Sequence, residues 1–225
     1  VARYALHAAG GLPLRASGHA EGIEHGVTRP VPPPDETHHG AEPVADAECR
    51  LDAGVDLFRS CPDAPEAAAA LRAHAQAAYL DNPLPAIVKE RLVVHLARAC
   101  GARHLAARHV GVLVGRFAGD GDRAIPPQPV ADVRELLRRP ARPAGDALEA
   151  ALERLEAGPP PALDGLDAAS EADLFAAASE LVGGGPLAPR ARRGLSAAFG
   201  AAAVERIALL AGYVRAVQAH LAGRD

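Results

Sequence analysis

From about residue 50 onward the apolar positions of the chain recur at helical spacing, and sustained strand-like alternation is missing almost everywhere. "APEAAAALRAHAQAAYL" places Pro65 in a first helical turn and runs to Tyr79, where "DNPLP" stops it. The turn built on Asn82-Pro83 and Leu84-Pro85 hands over to a second helix over about 86–99, with Ile87, Leu92, Val93, Leu96 and Ala99 on a 3.6-residue period. Gly101 is placed to end it. A third helix over about 104–114 carries Leu105, Val110, Val112 and Leu113. A polar loop, "GRFAGDGDRAIPPQP", precedes a short helix in "PVADVRELLRRP", with Pro129 at its start and Pro140 beyond its end. "GDALEAALERLEAG" is the next helix, and "GPPPALDG" separates it from a last third with helices at about 168–182, 188–199 and 201–222. Gly183-Gly184-Gly185-Pro186 divides the first two of these. The pattern predicts an all-α protein.

Residues 1–49 do not fit that rhythm. "GVTRPVPPPDETHHGAEP" has prolines at 30, 32, 33, 34 and 43, which remove donors and fix φ, so a flexible N-terminal extension is expected ahead of a helical domain over 50–225. Half of the ten histidines fall before residue 40, and the His38-His39 pair invites at most loose metal binding.

Composition narrows the functional classes. Aromatics are only 3% of the chain, and much of its 49% apolar share is alanine, which favours helices whose axes approach closely. A net charge of −4 argues against a nucleic-acid partner, and the arginines at 134, 138, 139 and 142 have no aromatic residues interleaved for stacking. No stretch approaches the roughly 18 apolar residues of a membrane span. The opening residues lack a sustained apolar run, so no signal peptide is expected. Three scattered cysteines (Cys49, Cys61, Cys100) without a CxxC pair suit a reducing cytoplasm better than a disulfide framework. The Gly119–Gly121 segment lacks the lysine and hydroxyl residue of a phosphate loop. Lys89 is the only lysine, every other basic residue being arginine.

The densest chemistry lies in "KERLVVHLARACGARHLAARH", residues 89–109. The bland reading makes Glu90 a solvated carboxylate near a helix N-terminus, where the macrodipole favours it, and His109 a satisfied core histidine. The sharper one is an acid/base pair, because histidine titrates near neutrality and a neighbouring carboxylate orients its ring. Glu90 lies eleven residues before Gly101 and His109 eight after it, compatible with facing positions on antiparallel helices. Metal binding is disfavoured: Glu90 and His95, like His104 and His109, are five apart, about 140° of helix rotation. Cys100, with no partner cysteine nearby, defaults to a small, partly buried thiol.

On "LFRSCPDAPE", "AYLDNPLPAIVKERLVVHLARACGARHLAARHVGVLVG" and "VADVRELLRRP", residues 50–225 resemble the alkylhydroperoxidase D / carboxymuconolactone decarboxylase superfamily. The likeness is to a divergent branch associated with the N-termini of bacterial signalling proteins carrying PAS or histidine-kinase modules. "AAFGAAAVERIALLAGYVRAVQAHL" looks like a decayed closing helix of that branch. The thiol peroxidases of the superfamily place a glutamate one helix before a CxxCxxxH motif. By that resemblance Glu90 and His109 match the glutamate and the last histidine, and Ala102 and Leu105 stand where the two cysteines would be. In the branch's C-x4-C-x3-H form Cys100 matches the first cysteine and Leu105 again replaces the second. His104, beside the gap, is a candidate for the proton relay.

The resemblance implies an antioxidant ancestry with a degenerate active site. A two-cysteine cycle needs an attacking thiolate and a resolving thiol, so such turnover is not expected. Two classes remain: a sensory or oligomerisation module in bacterial signalling, and a decarboxylase-like or single-thiol enzyme using Glu90, His104, His109 and Cys100. The expected partners are further copies of the chain, a signalling protein or a small molecule, with no cofactor.

Overall fold

The computed structural model describes residues 65–116 and 125–222, with side chains as far as 219. The proposed extension over 1–49, Cys49, Cys61 and the His38-His39 pair lie outside the described residues. Among those described there are eight α-helices and no strand: α1 (Pro65–Ala75), α2 (Ala86–Cys100), α3 (Arg103–Leu113), α4 (Val130–Arg138), α5 (Asp146–Glu156), α6 (Ala168–Gly183), α7 (Ala188–Phe199) and α8 (Ala201–Ala222). The protein is therefore all-α. No described helix is long and apolar enough to cross a membrane.

Two local features depart from the expected pattern. The first helix does not run on regularly to Tyr79; its last turn, Gln76–Leu80, is π-helical, closed by Asp81 N–H on Gln76 O at 2.9 Å. The proline-rich separator contains a 3-10 turn at Leu163–Gly165. A π turn admits one extra residue and so changes the facing of its side chains, which brings Ala78 and Tyr79 into the interior.

The "DNPLP" turn is held by a buried side chain. Asn82 donates from Nδ2 to Ala78 O and to Arg206 O, both at 2.9 Å, and accepts Leu84 N–H on Oδ1 at 3.1 Å. One amide thus ends the π turn, starts the approach to α2 and ties both to α8. At the far end of α2, Gly101 has φ 78°, a conformation strained for any side chain. Its N–H bonds Arg98 O at 3.1 Å and the next N–H, from Ala102, bonds Ala97 O at 2.7 Å. This paired closure satisfies the last carbonyls and reverses the chain into α3.

Helix α2 is the axis of the molecule, packing on α3, α6 and α8. From Val88 to Ala97 every residue except Arg91 is buried, so a helix that reads as amphipathic is enclosed on nearly all sides. Helices α5, α6 and α7 pack on one another. Gly194 on α7 faces α5 there, and a Cβ at that position would make an ordinary contact with Leu155 Cβ at 3.4 Å. Bidentate Arg154–Asp173 bonds of 2.8 and 2.6 Å tie α5 to α6. Asp167 begins α6 as an N-cap, accepting Ser170 N–H at 2.7 Å.

Arg98 fastens α4 from below: Nη1 donates to Leu136 O at 3.0 Å and Nη2 to Arg139 O at 2.9 Å. Both acceptors lie at the C-terminal end of α4, where carbonyls lack helical partners. Replacing Arg98 with Met keeps an apolar stem and deletes both charge-assisted bonds. The expected loss is about 2 kcal/mol, measured as a lower denaturation midpoint at unchanged slope. An unchanged midpoint would show that Val133, Leu136 and Leu137, with Arg139 on Glu171, hold α4 without Arg98.

Candidate functional site

Glu90 and His109 meet. His109 Nδ1 lies 2.6 Å from Glu90 Oε2, and the Tyr79 hydroxyl donates to the other oxygen, Oε1. Glu90 is 0%, Tyr79 2% and His109 3% exposed. The bland expectation of a solvated Glu90 is overturned, because α2 is enclosed by α3, α6 and α8. Three elements build the cluster: the π turn supplies Tyr79, the first turns of α2 supply Glu90, and the second half of α3 supplies His109. Antiparallel return through Gly101 brings α3 alongside α2 and so sets Glu90 against His109.

Besides Tyr79, which the sequence marked only as a helix end, two further residues not anticipated from the sequence complete the site. Lys89 is buried and donates from Nζ to Tyr79 O at 2.8 Å and Asn82 O at 3.0 Å. Its ammonium also lies 5.5 Å from the centroid of the Tyr79 ring. The same side chain therefore secures the carbonyls at the exit of the π turn and the ring whose hydroxyl serves Glu90. Tyr213 of α8 stacks on Tyr79 at 5.6 Å between centroids, while His109 meets Tyr79 edge-on at 5.3 Å. The available signal was compositional. In a chain that otherwise uses arginine, a single lysine marks a place that wants a compact ammonium able to reach two carbonyls rather than a planar fork.

Burial, the Glu90 charge and the bond to Glu90 together hold the Tyr79 phenol well above its ordinary value of 10.0. Tyr79 therefore keeps its proton in the fold at a pH where an unfolded tyrosine loses it. The associated stability is fully present below pH about 10 and is lost as pH rises beyond it. Tyr79→Phe should remove much of this alkaline dependence. It should also cost about 1–3 kcal/mol near neutrality by leaving Glu90 Oε1 unbonded. Denaturation across pH 7 to about 11 reads both effects.

The other candidates lie apart from this pair. His104 is exposed on α3, five residues before His109 and so about 140° around the helix, which does not favour the expected role in a relay. Cys100 is ten residues beyond Glu90 on α2, about 15 Å along the axis. Burial pushes its thiol up, against the opposing charges of Arg142 and Arg215, so the thiolate is disfavoured. Ala102 and Leu105 are both fully buried. Among the described residues no three His, Cys, Asp or Glu side chains converge as a metal-ligand set.

Comparison with family models, with curated proteins and with solved structures finds no match for the chain.

A second buried histidine has a different environment. Among the described residues neither ring nitrogen of His95 has a hydrogen-bond partner, and the ring packs on Phe175 at 5.1 Å. Burial first, then the charges of Arg98 and Arg139, lower its pKa to about 3, opposed by Glu171 and the Phe175 backbone. The folded protein thus resists protonation that the unfolded chain accepts near pH 6.5. Stability should fall as pH drops from about 6.5 toward 3, by at most about 1.4 kcal/mol per unit from this residue. His95→Leu should flatten that dependence in acid denaturation series, and an unaltered slope would assign it to other groups.

Proposed function

We propose that the helical domain is of the alkylhydroperoxidase D type with a degenerate site, and that it works as a sensory or oligomerisation module of bacterial signalling rather than as a peroxidase. The observation that carries this reading is the internal satisfaction of Glu90. Both carboxylate oxygens have partners, Tyr79 and His109, and all three side chains are buried. A carboxylate used in this way organises the interior, and the unpaired groups of a working acid/base site are not what it presents. The resemblance of the α2–α3 segment supports the family assignment, through Glu90 and His109 in their matching places. Ala102 and Leu105 fill with hydrocarbon the positions where the thiols would stand, which supports the loss of two-cysteine chemistry.

One observation favours a second reading. Glu90 engages His109 through Nδ1, and Nε2 has no hydrogen-bond partner among the described residues. A carboxylate-oriented imidazole with its second nitrogen uncommitted is the arrangement a decarboxylase-like general base would use.

The module reading expects concentration-dependent self-association that persists in high salt, because alanine-rich helical faces associate through apolar contact. Sedimentation velocity at low and high salt reads this directly. It also expects no sustained, thiol-dependent consumption of an alkyl hydroperoxide. A monomer at all concentrations that turns the peroxide over, and loses that activity with Cys100→Ser, would overturn the proposal.

A further inference from the structure

A cleft of about 400 Å3 opens where α2, α4, the 3-10 turn and the start of α6 come together. Its volume falls in the range of small-molecule sites, about 300–1,000 Å3. One end is basic. Arg91 grips Glu171 through Nε at 2.5 Å and Nη2 at 2.7 Å, and Arg139 reaches the same carboxylate through Nη1 at 2.5 Å. Burial is the largest influence on Glu171 and pushes its pKa up, yet the two guanidinium groups together hold it below the usual carboxylate range. One carboxylate between two guanidinium groups leaves a surplus positive charge. It also leaves donors unused: among the described residues Arg91 Nη1 and Arg139 Nε have no hydrogen-bond partner.

The rest of the wall has the opposite character. Asp132 lies on α4 two turns before Arg139, about 10 Å along the axis. Asp164 is on the 3-10 turn. Both line the cleft, both are exposed, and among the described residues neither carboxylate has an ion-pair partner. Glu135, also on the wall, is already engaged by Arg138 at 3.0 Å. Ile87, Leu163 and Leu166 supply partly buried apolar surface.

We infer that this cleft binds a small zwitterion of the ω-amino-acid class, whose carboxylate takes the spare donors of Arg91 and Arg139 and whose ammonium lies against Asp132 and Asp164, an apolar chain between them covering Ile87, Leu163 and Leu166. The carboxylate end meets guanidinium donors that Glu171 leaves unused, and the ammonium end meets two carboxylates without an ion-pair partner among the described residues. A simple anion or a simple cation can engage only one of the two ends and forgoes the contact at the other. The cleft is separate from the sealed Tyr79–Glu90–His109 cluster, so this inference does not depend on the function proposed above.

Methyl-resolved NMR titration of the full chain with 6-aminohexanoate, hexanoate and hexylamine tests it. The zwitterion should shift the methyl signals of Ile87, Leu163 and Leu166 in a saturable way. It should bind at least about tenfold more tightly than either single-charge analogue, the scale of one charge-assisted contact. Asp132→Asn combined with Asp164→Asn changes only exposed side chains, so the fold should survive. It should weaken the zwitterion by about tenfold or more and leave hexanoate no weaker. Equal binding of hexanoate or hexylamine, indifference of the zwitterion to the double substitution, or no methyl shift at millimolar ligand would each overturn the assignment.

Discussion

The enclosure of a glutamate at the centre of the molecule is the constraint around which the other helices are arranged. A carboxylate on a fully buried helix costs several kcal/mol to desolvate unless its oxygens are bonded, so each neighbour of α2 must deliver a partner or keep its distance. The π turn delivers the Tyr79 hydroxyl and α3 delivers the His109 imidazole. Lys89, adjacent in sequence to Glu90, fixes the π turn through two carbonyls. The α8 helix closes the far side with Tyr213 against the Tyr79 ring, and it holds the preceding turn through Arg206 O and Asn82. Moving any one of these elements would leave a buried polar atom without its partner. The cluster therefore specifies how α1, α2, α3 and α8 are arranged, beyond what alanine and leucine packing would select.

A second charged system does related work nearer the surface. Arg91, Arg139 and Glu171 join α2, the end of α4 and the first turns of α6, while Arg98 reaches the α4 carbonyls from beneath. His95 and Phe175 fill the space between these arginines and the core. The histidine remains neutral there because burial and two neighbouring guanidinium groups all oppose a further positive charge. Arginine suits these places, since its planar fork bonds two acceptors at once and its stem packs against apolar neighbours. Small apolar side chains supply close packing, and these polar ties supply much of its direction.

The two systems differ in what they offer to other molecules. In the central cluster the acceptors of Glu90 are internally matched and shielded. In the cleft beside Arg91, two guanidinium donors and two exposed carboxylates remain without partners among the described residues. The first arrangement holds the shape of the interior, and the second leaves charged groups open to a ligand. Both features lie on α2, within one turn of each other.

The sequence by itself determined the helices. Their 3.6-residue period, the prolines at 85, 129 and 140 and the glycines at 101 and 184 are local signals that act through φ, missing donors and apolar spacing. The observed ends accordingly fall within a residue or two of the expected ones. The approach of Glu90 to His109 was legible too, because an antiparallel hairpin about Gly101 is a nearly local geometry. What the tertiary structure decided was burial and partnership. Glu90 reads as a helix-terminal, solvated acid until α8 and α6 cover α2, and Tyr79 reads as the end of a helix until the π turn rotates it inward. The positions of His104 on an exposed face and of Cys100 at the opposite end of α2 follow from helix rotation and rise. The pairing of Arg91 with Glu171 spans eighty residues of sequence. No local pattern encodes which distant carboxylate a guanidinium will meet; that is settled only when helices pack and each buried charge must find its counterpart.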